Sequence, residues 1–106
     1  MFDCYETAKT AVRTLGPLIT TVSTHDRDLA RQMRRAGASI VLNIAEGWRR
    51  MGRDRRQLYL VAAGSNAELR AALDVSECLG YLSTEQCVEL EELLDRVAAM
   101  LYRLTR

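Results

Sequence analysis

The sequence of 106 residues is 48% hydrophobic and 27% charged, a balance that excludes a disordered tail and provides for one core but not two. No stretch approaches the roughly 20 apolar residues that span a bilayer, and acids near the start stand where a signal peptide needs positive charge, so we expect a cytoplasmic protein with no membrane partner. The formal net charge is only +1, but residues 27–56 contain nine arginines and three acids, a local charge of +6.

Apolar residues at helical spacing predict four helices. The first covers about residues 3–22, and Pro17 within it predicts a kink or an early stop, because proline removes a hydrogen bond and crowds the preceding turn. The second covers about residues 25–50, with Ser23 or Thr24 as its predicted N-cap.

The third helix is predicted over about residues 54–79, with Asp54 as a cap and Gly80 as the left-handed residue that follows its end. The fourth covers about residues 84–104 and begins with a capping box that opens at Ser83. Four amphipathic helices joined by short turns predict an all-α fold, an antiparallel up-down-up-down four-helix bundle formed by one domain.

The middle helices contain two stretches that are apolar on every side. One is the run 58–63, and the other surrounds Val41 and Leu42. Because an apolar outer face is usually covered, this pattern predicts that the chain associates with itself. The alternative is a wide core stripe flanked by scattered surface aliphatic residues.

The sequence contains none of the usual catalytic or metal-binding patterns, so we expect no catalytic site, no metal and no cofactor. The single histidine, His25, lies in a polar turn and lacks the Glu-x-x-His repeats of metal-binding bundles. Cys4, Cys78 and Cys87 are odd in number and lack the spacing of a zinc site, so we expect reduced thiols. No phosphate-binding loop is present.

Several polar residues interrupt the apolar faces of the middle helices. Ser39, Asn43 and Glu46 lie at positions i, i+4 and i+7 of the second helix, and Ser65 and Glu68, with Asn66, interrupt the third. These side chains could form a binding or catalytic cluster. The favoured interpretation is a structural polar network that fixes the register of the two helices.

An arginine-rich corner is the strongest candidate for a binding site. Trp48 and five arginines fall within nine residues, and further arginines follow the second helix. The candidate arginines are Arg49, Arg50, Arg53, Arg55 and Arg56 at the corner, with Arg31, Arg34 and Arg35 on the helix. A guanidinium group offers a planar fork that matches phosphate and stacks on bases, which favours binding of RNA or DNA. The alternative is a solvated corner that pairs with acids of the fourth helix.

Several short motifs resemble, in order, those of the four-helix-bundle proteins encoded in intervening sequences of bacterial 23S ribosomal RNA genes. They are residues 32–36, 39–47, 63–65, 68–69 and 79–82. The string Asn-Ile-Ala-Glu-Gly that ends at Gly47 is fairly specific to that family, although arginines with Trp48 follow it here where family members often have lysines. The family includes the accessory variability proteins of diversity-generating retroelements.

The resemblance implies a ring-shaped homopentamer, a nucleic-acid partner and, in the retroelement setting, a reverse transcriptase partner. It implies no enzymatic activity. We therefore expect a non-enzymatic, oligomeric adaptor that binds nucleic acid. The alternative function is a protein–protein interaction scaffold whose basic corner binds an acidic partner and for which nucleic acid has no role.

Overall fold

Four amphipathic helices account for most of the chain in the computed structural model, which describes residues 2–106. They are α1 (Asp3–Ser23), α2 (Arg27–Trp48), α3 (Gly52–Cys78) and α4 (Thr84–Thr105). No strand occurs in the described residues, and the all-α, four-helix class is confirmed. The observed α2 is two residues shorter than predicted at each end, and α3 begins two residues earlier than predicted.

The helices form a four-sided bundle in chain order. α2 packs against α1 and α3, and α4 packs against α3 and α1. Antiparallel packing of consecutive helices follows from their short connections, which span only residues 24–26, 49–51 and 79–83. The bundle measures 42 × 22 × 21 Å. Within residues 2–106, no helix is both long enough and apolar enough to cross a membrane.

The core lies along the bundle axis and is built from one face of each helix. Leu15 of α1, Ile44 of α2, Leu73 of α3 and Leu94 of α4 are among its fully buried side chains. Residues at spacings of three and four share a helix face, so each helix contributes a continuous stripe to this core.

The N-cap predicted for α2 is wrong. Asp26 occupies that position, and its carboxylate accepts a hydrogen bond from the backbone N–H of Leu29 at 3.0 Å. Ser23 and Thr24 instead donate their hydroxyls back to carbonyls of the last turn of α1, at 2.8 and 2.7 Å. Both hydroxyls are held there because α1 extends to Ser23, which leaves Asp26 as the next residue able to cap.

Two further local predictions need correction. Met51, rather than Asp54, occupies the N-cap position of α3, because its carbonyl already accepts a hydrogen bond from the backbone N–H of Arg55 at 3.4 Å. Gly52, which follows it, has a φ of +58°, a left-handed conformation that glycine adopts without strain. Asp54 lies in the first turn, where its charge favours the helix N-terminus. The early stop considered at Pro17 does not occur, since α1 continues past this exposed residue to Ser23.

The turn between α3 and α4 follows its prediction. Gly80 has a φ of +78°, the left-handed conformation that ends many helices. Ser83 and Gln86 then form the reciprocal hydrogen bonds of a capping box, at 2.8 and 3.2 Å.

Candidate nucleic-acid interface

One end of the bundle brings together arginines that are far apart in the sequence. Arg56, near the start of α3, donates its Nε–H to the backbone carbonyl of Thr105 at the end of α4, at 2.8 Å. Arg103 and Arg106 belong to that same last turn and are exposed. We call this surface the basic end and define it by Arg49, Arg50, Arg53, Arg55, Arg56, Arg103 and Arg106.

Arg103 and Arg106 lie outside the arginine cluster that the sequence pattern predicts as a binding site. Arg56 and Arg106 are 50 positions apart in the sequence, and Arg56 and Thr105 are 49 positions apart. Their position could nevertheless have been predicted, because an antiparallel bundle places the end of α4 beside the start of α3.

Arg55 is committed to the end of α2. Its Nε donates to the carbonyl of Gly47 at 3.0 Å, and its Nη2 donates to the carbonyl of Trp48 at 2.8 Å. The guanidinium carbon also lies 5.7 Å from the centre of the Trp48 ring. A cation at a helix C-terminus satisfies carbonyls that have no helical partner and complements the helix dipole. Arg55 therefore caps α2.

Arg56 has a similar role at the end of α4, but it uses one donor. Its Nε is bonded to the carbonyl of Thr105, whereas the residue as a whole remains exposed. Arg50 is held by acids, with its Nη2 2.8 Å from a carboxylate oxygen of Glu46 and its Nη1 3.9 Å from Asp54. These pairs neutralise part of the charge that the sequence places at the corner.

Arg49 and Arg53 are the two predicted corner arginines whose guanidinium groups remain available to bind a ligand. Both are exposed, and neither forms an ion pair or a side-chain hydrogen bond within residues 2–106. The structure thus separates five arginines that look equivalent in the sequence. Two cap helix ends, one pairs with acids and two point to solvent.

The aromatic residues at this end also differ in their surroundings. Trp48 is 46% exposed, and its ring is stacked on Phe2 with the ring centres 4.3 Å apart and the planes 13° apart. Tyr102 is 64% exposed, and the guanidinium carbon of Arg106 lies 5.5 Å from the centre of its ring. Trp48 is therefore partly covered by its own chain, whereas Tyr102 is open.

The three arginines predicted on α2 lie on a separate surface. Arg31, Arg34 and Arg35 are exposed, and about 21 Å of helix separates Arg35 from Arg49. Arg31 pairs with Asp28 at 3.2 Å. Arg35 lines a polar groove of about 500 Å³ between α2 and α3.

The predicted polar network is smaller in the structure. The hydroxyls of Ser39 and Ser65 are 2.7 Å apart, and the Asn43 side chain donates to the backbone carbonyl and the hydroxyl of Ser39 at 2.8 and 3.1 Å. Glu46 is outside this cluster because it pairs with Arg50. Glu68 lines the α2–α3 groove together with Ser39 and Ser65, but its exposed side chain forms no hydrogen bond with either within residues 2–106.

Hydrogen bonds of the remaining polar residues link three helices. Ser39 and Ser65 join α2 to α3, and Asn66, which also interrupts the third helix in the sequence, donates to the carbonyl of Leu94 in α4 at 3.0 Å. Within the described residues, every fully buried side-chain nitrogen and oxygen has a hydrogen-bond partner. Satisfied polar groups of this kind fix helix register and leave few donors for a ligand.

The buried thiols are not set up for nucleophilic chemistry. Burial raises the pKa of Cys4 to about 11, and burial together with the nearby Glu77 carboxylate raises the pKa of Cys87 to about 12. His25 lies at the opposite end of the bundle, stacked on Tyr81 with ring centres 5.0 Å apart. Among residues 2–106, no three His, Cys, Asp or Glu side chains are grouped closely enough to hold a metal ion.

These features define a small four-helix bundle with satisfied internal polar groups and a basic end. The chain belongs to the family of 23S rRNA-intervening sequence proteins, whose family model matches residues 2–103. The resemblance carried by the 39–47 motif is thereby confirmed.

The fold is shared with a solved structure at low sequence identity. That structure is the crystal structure of a protein of unknown function from the S23 ribosomal protein family of Bacteroides thetaiotaomicron. It is 19% identical to this chain, with a TM-score of 0.88 over 98% of this chain and 99% of the other. A search of curated proteins finds no significant match.

Proposed function

We propose that this protein is a non-enzymatic, oligomeric adaptor that binds nucleic acid through the phosphates at its basic end. The observation that carries the proposal is the exposure of Arg49 and Arg53, which have no side-chain partner within residues 2–106. Arg103 is exposed at the same end of the bundle, where it lines a groove with Asp3 and Glu6 of α1. A charged side chain without an internal partner is available to a charged ligand, and guanidinium groups match phosphate in charge and geometry.

The arrangement of the capping arginines supports the same function. Arg55 and Arg56 tie the α2–α3 turn to the ends of α2 and α4. They thereby fix the backbone from which Arg49 and Arg53 project. Because this backbone is already fixed, a ligand immobilises fewer side chains and loops when it binds, and less conformational entropy is lost.

Self-association would multiply the field of the basic end. On the outer surface of the middle helices, Leu42 is 66% exposed and Val61 is 42% exposed. Leu42 also lines an apolar groove of about 360 Å³ between α1 and α2. Exposed apolar surface of this kind favours an interface. We propose a homo-oligomer with five subunits, the number that the family resemblance implies, in which symmetry repeats the basic end.

The salt dependence of binding tests the phosphate contacts. Fluorescence anisotropy with labelled RNA and DNA should detect binding near 50 mM salt and lose it at several hundred millimolar, because phosphate contacts release counterions. The triple variant Arg49→Gln, Arg53→Gln, Arg103→Gln should bind weakly and show a salt slope reduced by about three units, one for each lost contact.

A matched triple variant serves as the control. Arg31→Gln, Arg34→Gln and Arg35→Gln remove the same charge from the other arginine surface, and this variant should retain most of the binding. A larger loss in the control would place the site on α2 instead. If the assembled wild type binds neither RNA nor DNA at low salt, the proposal is wrong and the scaffold for an acidic protein partner becomes the better interpretation.

The genomic neighbourhood of the coding sequence tests the setting of this adaptor. A location within a 23S ribosomal RNA gene would place it with the intervening-sequence proteins. A neighbouring reverse transcriptase gene with a variable repeat would instead support the reverse transcriptase partner that the resemblance implies.

A further inference from the structure

We propose that Tyr102 is a stacking platform for an unpaired base, so that the basic end takes single-stranded rather than duplex nucleic acid. This inference rests on the proposed function, because it assumes that the surrounding arginines hold phosphates.

The exposure and the partner of Tyr102 provide the first argument. Its side chain is 64% exposed, and Arg106 lies over its ring at 5.5 Å from the ring centre. An isolated exposed aromatic residue needs no explanation. An exposed aromatic ring with a guanidinium group over it, at the end of the bundle richest in arginine, has the composition of a site that stacks bases and binds their phosphates.

The position of Tyr102 on α4 provides the second argument. The Asp95 carboxylate on α4 lies 3.6 Å from the Arg70 guanidinium on α3. The edge of α4 that carries Asp95 therefore faces α3. Tyr102 follows Asp95 by seven residues, which is about two helical turns, and therefore lies on the same edge. Arg56 contacts the last turn of α4 at Thr105, three residues beyond Tyr102. The ring is thus placed beside the arginines at the start of α3.

The state of Trp48 supports the choice of Tyr102. Trp48 is the aromatic residue that the sequence pattern favours for stacking, but Phe2 is already stacked on it, with the ring centres 4.3 Å apart. A guanidinium group lies near each ring at a similar distance, 5.7 Å for Trp48 and 5.5 Å for Tyr102, so the difference between them is the second aromatic ring that a base would have to displace from Trp48. Tyr102 requires no such displacement of a second aromatic ring.

The chemistry selects single strands. In a duplex each base is stacked between its neighbours and presents no face to a protein ring, whereas bases of a single strand or loop can stack on aromatic side chains. One base stacked on an aromatic residue changes affinity by about five- to 150-fold when the residue is replaced. Phosphate contacts by the arginines are common to both forms and carry the salt dependence.

The test compares Tyr102→Leu with Tyr102→Phe in the full chain. The ligands are labelled 12-nucleotide single strands of RNA and of DNA, and the corresponding duplexes, at 50 mM salt. Tyr102→Leu should lose about five- to 150-fold in affinity for the single strands with an unchanged salt slope. Tyr102→Phe keeps the ring and should bind as the wild type does. Tyr81→Leu removes a tyrosine from the opposite end and serves as the control.

An abasic single strand provides a second readout. It keeps the phosphates and removes the base faces, so the wild type should bind it as weakly as Tyr102→Leu binds the intact strand, and the variant should not distinguish the two ligands. Circular dichroism checks that the variants keep their helicity.

The outcomes separate this inference from the function on which it rests. If the wild type binds no nucleic acid at low salt, the proposed function fails. If the wild type binds with a steep salt dependence but Tyr102→Leu and the abasic strand change nothing, the function stands and the stacking inference is overturned. An equal loss of duplex binding in Tyr102→Leu, or an equal loss in Tyr102→Phe, also overturns it. Stronger binding of RNA than DNA, or the reverse, identifies which single strand is preferred.

Discussion

Gly47 of α2 lies directly against the ring of Tyr59 in α3, so closely that a Cβ atom at Gly47 would be 2.6 Å from the nearest ring carbon. Tyr59 is fully buried, and its ring cannot swing away as the end of a flexible side chain could. Gly47 also accepts the hydrogen bond from Arg55 that caps α2. The glycine that ends the Asn-Ile-Ala-Glu-Gly string thus permits the close approach of α2 and α3 next to the basic end.

Replacing Gly47 by alanine should lower the free energy of unfolding by about 1–3 kcal/mol, because the added methyl group overpacks the contact with Tyr59. Urea denaturation followed by circular dichroism measures the effect. Gly64→Ala is the control, since Gly64 also lies in a helix, α3, and the added methyl group would meet no heavy atom of the described residues within 4 Å beyond its chain neighbours and the nearby backbone of α3. That change should be neutral or stabilising by up to about 1 kcal/mol. Equal stability of the Gly47→Ala variant and the wild type would contradict the packing argument.

Arg53 and Arg55 form a matched pair for separating stability from binding. Arg55→Gln removes the two charged hydrogen bonds to the end of α2 and should cost about 1–2 kcal/mol of stability. Arg53→Gln removes the same charge from an exposed position and should change stability by less than about 0.5 kcal/mol. It should instead lower the slope of log affinity against log salt by about one unit.

Urea denaturation and salt titration of nucleic-acid binding, carried out on both variants, check this division. The opposite pattern, with Arg53→Gln unstable and Arg55→Gln deficient only in binding, would show that the roles assigned to the two arginines are exchanged.

The three thiols should differ in reactivity. Cys78 is exposed, whereas Cys4 and Cys87 are buried with raised pKa values of about 11 and about 12. A thiol-reactive dye at pH 8 should therefore label one cysteine per native chain quickly and all three in denaturant. Mass spectrometry of digested protein identifies the labelled residue. Rapid native labelling of Cys87 would show that its surroundings open more readily than its burial implies.

The same pKa shifts predict how stability depends on pH. The folded-state pKa values of Cys4 and Cys87 lie above the ordinary value of 9.0, so the buried neutral thiols contribute fully to stability below pH 9. This contribution is lost as the pH rises from 9 through about 11 for Cys4 and about 12 for Cys87, by up to about 1.4 kcal/mol per pH unit for each thiol. Urea denaturation at pH 8, 9 and 10 measures the slope. The double variant Cys4→Ala, Cys87→Ala should show a smaller slope, and an unchanged slope would contradict the assignment.

Helical periodicity was sufficient to predict the four helices, because each helix buries one continuous stripe. The caps were harder to predict. Ser23, Thr24 and Asp26 are all good N-cap residues, and only the extent of α1 to Ser23 decides among them. At the start of α3, the helix begins at Gly52 after Met51 rather than after the better capping residue Asp54, and the spacing of apolar residues does not specify that boundary.

The residue types of the candidate site could be predicted from the sequence, but the separate roles of its arginines could not. The i, i+4 spacing of Glu46 and Arg50 favours an ion pair at the end of α2, a signal that is present in the sequence but was not used in predicting the polar network. The roles of Arg55 and Arg56 could not be read in this way, since their acceptors are backbone carbonyls at the ends of other helices. Tyr102 is separated from the corner by most of α3 and α4, and only the packing of the helices shows that they are neighbours.

The final prediction concerns the assembly. Light scattering after gel filtration should give the wild type a mass near 60 kDa, which is five times the 12.0 kDa of one chain. Val61 and Val88 make a matched pair, because they are 42% and 47% exposed but lie on α3 and α4 respectively. A carboxylate buried without a partner in an apolar interface is strongly unfavourable. Val61→Glu should therefore dissociate an oligomer that packs through the middle helices.

Val88→Glu should keep the wild-type mass, because the outer surface of α4 lies outside the proposed interface. Dissociation by Val88→Glu alone would move the interface to α4, whereas a wild-type mass near 12.0 kDa at micromolar concentration would show that the chain is a monomer.

The assembled and dissociated forms also allow a direct comparison of nucleic-acid binding. If symmetry multiplies the field of the basic end, Val61→Glu should weaken binding and reduce its salt slope although it removes no arginine. Equal binding by both forms would show that one subunit suffices for phosphate recognition.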